Sequence, residues 1–176
     1  MFLTPQKLLL LLITLCFVWL LNKFCFELRY IPSGAMKPTL IENDRLLVNK
    51  MVKNHKRGDI IIHYVPQIKD KRIAYCKRII GLPNDRIEIK ADDTGKSTVY
   101  INNEPLDEPY IMSQFDYPPC NEESCGPISI PEGSYFVMGD NRGNSQDSRH
   151  YGTIQKKDII GKVVYRYYPF SRHKKL

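Results

Sequence analysis

The run KLLLLLITLCFVWLLNKFCF, from Lys7 to Phe26, constrains this chain more than any other feature. From Leu8 to Leu21 no charge interrupts it, and only Asn22 and Lys23 intrude before Phe24, Cys25 and Phe26. The stretch therefore approaches the roughly 20 residues that cross a bilayer. It is apolar on all sides rather than along one stripe, which argues against a buried core helix. A removable leader would be followed by small residues in an A-x-A pattern, whereas here the chain continues NKFCFELRYIPSG with large ones. The reading is a single uncleaved anchor over residues 8–27 behind a tail of residues 1–7, with Lys23 snorkelling to the interface. Lys7 precedes the span and Lys23 and Arg29 follow it, so charge does not decide the orientation.

Beyond the anchor there is room for one domain, because the chain is 176 residues long. A hydrophobic share of 43% and a charged share of 26% are those of an ordinary folded protein, which excludes wholesale disorder and a multi-span membrane protein. The net charge of +7 comes from lysines and arginines scattered along the chain, with one cluster at Arg172, His173, Lys174 and Lys175 in a basic tail over 171–176. None of the nucleic-acid signatures accompanies them, so the excess reads as lipid-surface attraction or solubility, with no nucleic-acid partner. Nothing in the sequence sets an oligomeric state.

Downstream of residue 30 no long segment has helical periodicity. Instead DRLLVNKMV, GDIIIHYV, AYCKRIIGL, DRIEIK, STVYINN, SYFVMGDN and GKVVYRYY are short, rich in β-branched and aromatic residues, and punctuated by Gly, Pro, Asn and Asp. These runs imply a mostly β body over 28–170, with an irregular, exposed excursion over 106–130. Five cysteines are unevenly spread: Cys16 and Cys25 by the anchor, Cys76 in a strand, Cys120 and Cys125 in the excursion. The last pair closes a short disulfide loop if the domain faces an oxidising compartment; a metal site lacks histidines at ligand spacing, and no cofactor is called for.

Five boxes occur in order behind the anchor: IPSGAMKPTL, DRLLVNK, RGDIIIH, YCKRIIGLPNDRIEI and MGDNRGNSQDSRHYG. This ordered set resembles the type I signal peptidases, membrane-anchored serine proteases that remove signal peptides from exported proteins. The resemblance runs from the anchor to about Tyr167. It implies a β-barrel-like catalytic domain after one transmembrane helix, in a bacterial cell membrane with the domain on the export side. The partners it implies are the bilayer and the signal peptides of exported precursors.

The same resemblance implies a serine nucleophile with a lysine general base. Lys77 matches the base, and a lysine takes a proton only when burial has made it neutral. In its strand Lys77 alternates with Cys76 and Arg78, so it can point inward while Arg78 stays solvated. At the nucleophile position, just before Met36, stands Ala35, whose methyl group cannot attack a carbonyl. Ser33 matches a residue that helps to hold the oxyanion. As a substitute nucleophile it is misplaced, since residues i and i+2 of an extended chain lie roughly 6.5 Å apart. Ser145 matches the residue that hydrogen-bonds the base, and Asp147 and Arg149 match a supporting ion pair. Gly143 departs from an aspartate of the family pattern, which puts part of the polar network in doubt. Asp140 and Asn141 are read as fixing their own turn by side-chain to backbone bonds. His55, His63, His150 and His173 sit in no motif that pairs them with a serine, so all four are read as structural or solvated.

Three readings remain open. The chain is a peptidase that lacks its hydroxyl because Ala35 was introduced at an intact site, a naturally non-catalytic homologue that binds precursors or a partner without cleaving, or an anchored interaction domain. The retained Lys77 and Ser145 speak against the last, because a buried amine is costly to keep without a task.

Overall fold

The structure is a computed structural model that describes residues 4–65, 73–91, 93, 97–112 and 126–176. Cys120 and Cys125, and with them the disulfide reading, lie outside the described residues. Cys16, Cys25 and Cys76 are free thiols.

Helix α1 spans Pro5–Leu20, with the proline at its start, where a missing N–H leaves nothing unpaired. Its residues bury none of their side chains in the protein, and it continues through a wider-wound turn, Leu21–Cys25, to make 21 residues from Pro5 to Cys25. At 1.5 Å per residue this is about 31 Å, the thickness of a bilayer's hydrocarbon core. Phe26 and Glu27, which the hydropathy reading assigns to the span, instead begin a strand.

Among the described residues the body is two antiparallel sheets. The large one has strands β1(Phe26–Tyr30), β2(Arg45–Asn49), β3(Ile60–Tyr64), β4(Ala74–Gly81), β9(Ser134–Met138), β10(Ile154–Gln155), β11(Ile159–Tyr168) and β12(Lys174–Lys175). Their order is β1-β2-β11-β3-β4-β9-β10, with β12 added to β11. The small sheet, β7-β6-β5-β8, is built from β5(Arg86–Ala91), β6(Ser97–Ile101), β7(Glu104–Pro105) and β8(Ile128–Ser129). All seven strands read from the sequence are present, and β1, β7, β8, β10 and β12 are additional. A one-turn helix, α2(Ser148–Tyr151), is capped at its N-terminus by Asp147.

Period-2 alternation puts Ile87, Ile89, Val99 and Ile101 of the small sheet against Ile80, Phe136 and Met138 of β4 and β9. A second cluster, with Ile31, Met36, Leu40, Leu46, Val48, Ile60, Ile62 and Val163, lies beneath the IPSGAMKPTL stretch. A third, Ile61, Ile79, Tyr135, Val137 and Ile154, covers the opposite face of β3, β4 and β9. Strand β4 is thus covered on both faces, as the continuous burial from Lys77 to Gly81 shows.

The start of the excursion is part of the body. Leu106 and Tyr110 pack on the first cluster, and the Met112 N–H donates to the Asp140 carbonyl at 3.2 Å.

Candidate active site

The Ile31–Leu40 stretch is pinned by apolar anchors and by main-chain bonds. Ile31, Met36 and Leu40 are buried, and the Ile31 N–H donates to the Asp44 carbonyl at 2.9 Å. Between them Gly34–Met36 forms a single 3-10 turn. Asn141 clamps that turn: its N–H donates to the Ala35 carbonyl at 3.1 Å and its Nδ2 to the Gly34 carbonyl at 3.0 Å. Gly139 is required beside it, since a Cβ there would collide with the Ala35 oxygen and with Ser145 Oγ. The stretch is therefore not extended at Ala35, and the spacing argument against Ser33 loses its premise. Ser33 itself is extended and exposed.

Lys77, on β4, lines the same groove as this turn and is only 3% exposed. Its Nζ donates to Ser145 Oγ at 2.8 Å, and the Tyr75 ring lies 5.5 Å from it. Burial, the largest influence, holds the amine below an ordinary lysine's value, with the negative charge of Asp147 working against it. Asp147 is fully buried and receives Nε and Nη2 of Arg149, each at 2.8 Å, together with the Gly139 N–H at 3.0 Å. Burial alone would push its carboxyl up. The bonds and charge of Arg149 outweigh burial and hold Asp147 below the usual carboxylate range.

Lys77 and the turn meet at one groove of about 530 Å³, whose lining includes Ser33, Ala35, Met36, Ile62, Cys76 and Lys77. Chemically, the site presents a desolvated amine held by a serine hydroxyl, and a main-chain turn that aims a methyl group into the same groove.

The structure corrects two expectations. Arg78 is not solvated: it is 9% exposed, its Nε and Nη2 grip Asp140 at 2.8 and 2.6 Å, and it stacks 4.0 Å above Tyr110. With both faces of β4 covered, alternation has no wet side to turn it toward. Asp140 does not serve its own turn either, because it accepts from Arg78 and from the Thr39 hydroxyl at 2.5 Å. The signal available was an arginine inside an apolar strand, which requires a buried anion somewhere in the chain.

Gly143 is exposed, with nothing within 4 Å of where a Cβ would be, while its neighbour Arg142 is 1% exposed and forms a two-pronged pair with Glu108. His63 is fully buried, and its Nδ1–H donates to the Tyr64 carbonyl at 2.9 Å. Burial holds it down to about 4, so it is neutral at ordinary pH and serves the interior. His150 and His173 are exposed, and His55 is half-buried.

Residues 6–168 match the model of the family described as signal peptidase, peptidase S26. The chain is 41% identical over 160 residues to a signal peptidase I of Leptolyngbya laminosa, covering 86% of this chain and 73% of that protein. It is 40% identical over 169 residues to the signal peptidase I P of Bacillus subtilis subsp. natto, covering 92% and 87%. A solved signal peptidase I from Enterococcus faecalis V583 is 31% identical and superposes with a TM-score of 0.49 over 63% of this chain and 97% of its own.

Proposed function

The chain belongs to the signal peptidase family, peptidase S26, and on that premise we propose that its groove receives the signal-peptide junction of exported precursors, with Lys77 as the general base of a serine-type cleavage. The observation that carries this is the buried Lys77 amine, bonded to Ser145 at 2.8 Å and opening on the same groove as Ala35.

The steps follow from the chemistry of these groups. An extended precursor segment adds to the sheet beside the groove, and small side chains of an A-x-A junction fit its apolar lining. With a hydroxyl at position 35, neutral Lys77 takes its proton as the oxygen attacks the scissile carbonyl. Ser33 and the N–H of residue 35 hold the oxyanion. Lysine then delivers the proton to the leaving amine and activates water against the acyl-enzyme. Ser145 orients the amine, while Asp147 and Arg149 hold the Ser145 loop. Met36 seats the turn in the core. With Ala35 the chain binds without turnover.

The 21-residue helix is the membrane anchor, one pass, with the β body on the export side of a bacterial cell membrane. A second reading, a non-cleaving homologue that holds precursors or a partner, is favoured by one observation, Ala35 itself. One experiment separates the two. In liposomes, the chain and its Ala35→Ser variant are offered a precursor peptide with an A-x-A junction. Cleavage by the variant alone is the expected outcome. Cleavage by neither supports the non-cleaving homologue, and cleavage by both makes Ser33 the nucleophile.

A further inference from the structure

The anchor and the base belong to one continuous row of the large sheet. The turn that ends the helix passes into β1 without a linker: the Cys25 carbonyl accepts from the Lys50 N–H at 2.9 Å, and Phe26 already pairs with Asn49. Lys50 also closes the helix end. Its Nζ donates to the Lys23 carbonyl at 2.8 Å and lies 3.6 Å from Glu27, whose other partner is Arg29 at 2.5 Å. A cation there satisfies a carbonyl that has no partner within the helix, and it meets the negative end of the helix dipole.

From this joint a line of opposed residues crosses the strands: Phe26 with Asn49, Asn49 with Lys162, Lys162 with Ile61, and Ile61 with Lys77. Opposed residues of antiparallel strands lie level with one another. Four steps of about 4.8 Å, counted along the twisted sheet, separate Lys77 from the anchor's end by roughly 19 Å of paired backbone.

We propose that this joint is a depth gauge: the direct passage from helix to strand, closed by Lys50, sets the height of Lys77 above the bilayer, so that the bond cut in a membrane-inserted precursor is chosen by its depth as well as by its side chains. Lys50 is a positioning residue that acts through the joint and touches no substrate. The inference rests on the proposed cleavage and deepens it. A flexible insert of four residues has a root-mean-square span of roughly 10–12 Å. That exceeds the roughly 3.5 Å within which reacting atoms must be held.

The test uses the full chain carrying Ala35→Ser, with Gly-Ser-Gly-Ser inserted between Cys25 and Phe26 or, separately, with Lys50→Ala. Each is given two substrates: a precursor whose signal segment is inserted in the same liposomes, and a water-soluble peptide spanning the same A-x-A junction. The insertion is expected to lower kcat/KM on the inserted precursor by about tenfold or more, or to move the cut, while the soluble peptide changes by less than about twofold. Lys50→Ala is expected to show the same split to a smaller degree. Equal loss on both substrates, or on neither, overturns the gauge, and an effect of the insertion without one of Lys50→Ala overturns the part given to Lys50. If Ala35→Ser alone cuts neither substrate, the proposed cleavage itself falls, and the gauge with it.

Discussion

The two walls of the groove are built in different ways. The base wall carries Lys77, backed by Ser145, Asp147 and Arg149; the four are 3%, 9%, 0% and 1% exposed, and they specify one another through side chains. On the opposite wall Ser33 is exposed and Ala35 half-buried, and the turn is held by its main-chain carbonyls, which Asn141 engages. A wall held by main-chain bonds keeps its shape whatever stands at position 35. A wall of mutually bonded buried side chains tolerates no such exchange.

The largest test of that contrast is Asp147→Asn, which leaves the buried pair without its charge. Chemical denaturation should show a loss of about 3–5 kcal/mol, as for other buried pairs broken on one side. A loss under about 1 kcal/mol would put the base wall on the same footing as the other.

A smaller effect of opposite sign is expected from Lys77→Met. In the unfolded chain the amine is protonated below about pH 10.4. Burial lowers its value in the folded protein, so folding at neutral pH disfavours that proton, and stability rises with pH between the folded value and about 10.4. Lys77→Met should therefore melt higher than the parent at pH 7, with the gap closing as the pH approaches 10. A gap independent of pH would mean that the amine keeps its proton.

Ser33→Ala should barely register in stability, within about 0.5 kcal/mol, as for a surface position. In the Ala35→Ser background the same change should lower kcat by about 10²–10³-fold if Ser33 helps to hold the oxyanion. Rates within twofold would remove Ser33 from the machinery.

The strands that carry the site were legible because each is a local run of β-branched and aromatic residues between turn formers, and Lys77 and Ser145 were legible because their boxes are ordered along the chain. Three features were not. Phe26 continues the apolar run of the anchor and Glu27 directly follows it, and only their pairing with β2 makes them strand. Arg78 alternates correctly for an outward residue, and only the second covered face of β4 encloses it. The turn at Ala35 is set by Asn141, 107 positions from Gly34 along the chain.

By itself, then, the order of residues determined a membrane-length apolar helix, a β body and a lysine within an apolar strand, because all of these are properties of a residue and its near neighbours. Only the tertiary structure decided that Lys77 meets Ser145 across 68 positions, that Arg78 and Asp140 pair across 62, and that a row of paired residues joins the helix end to Lys77. Those are long-range closures, and nothing local in the chain encodes which buried cation finds which partner until the sheet brings them together.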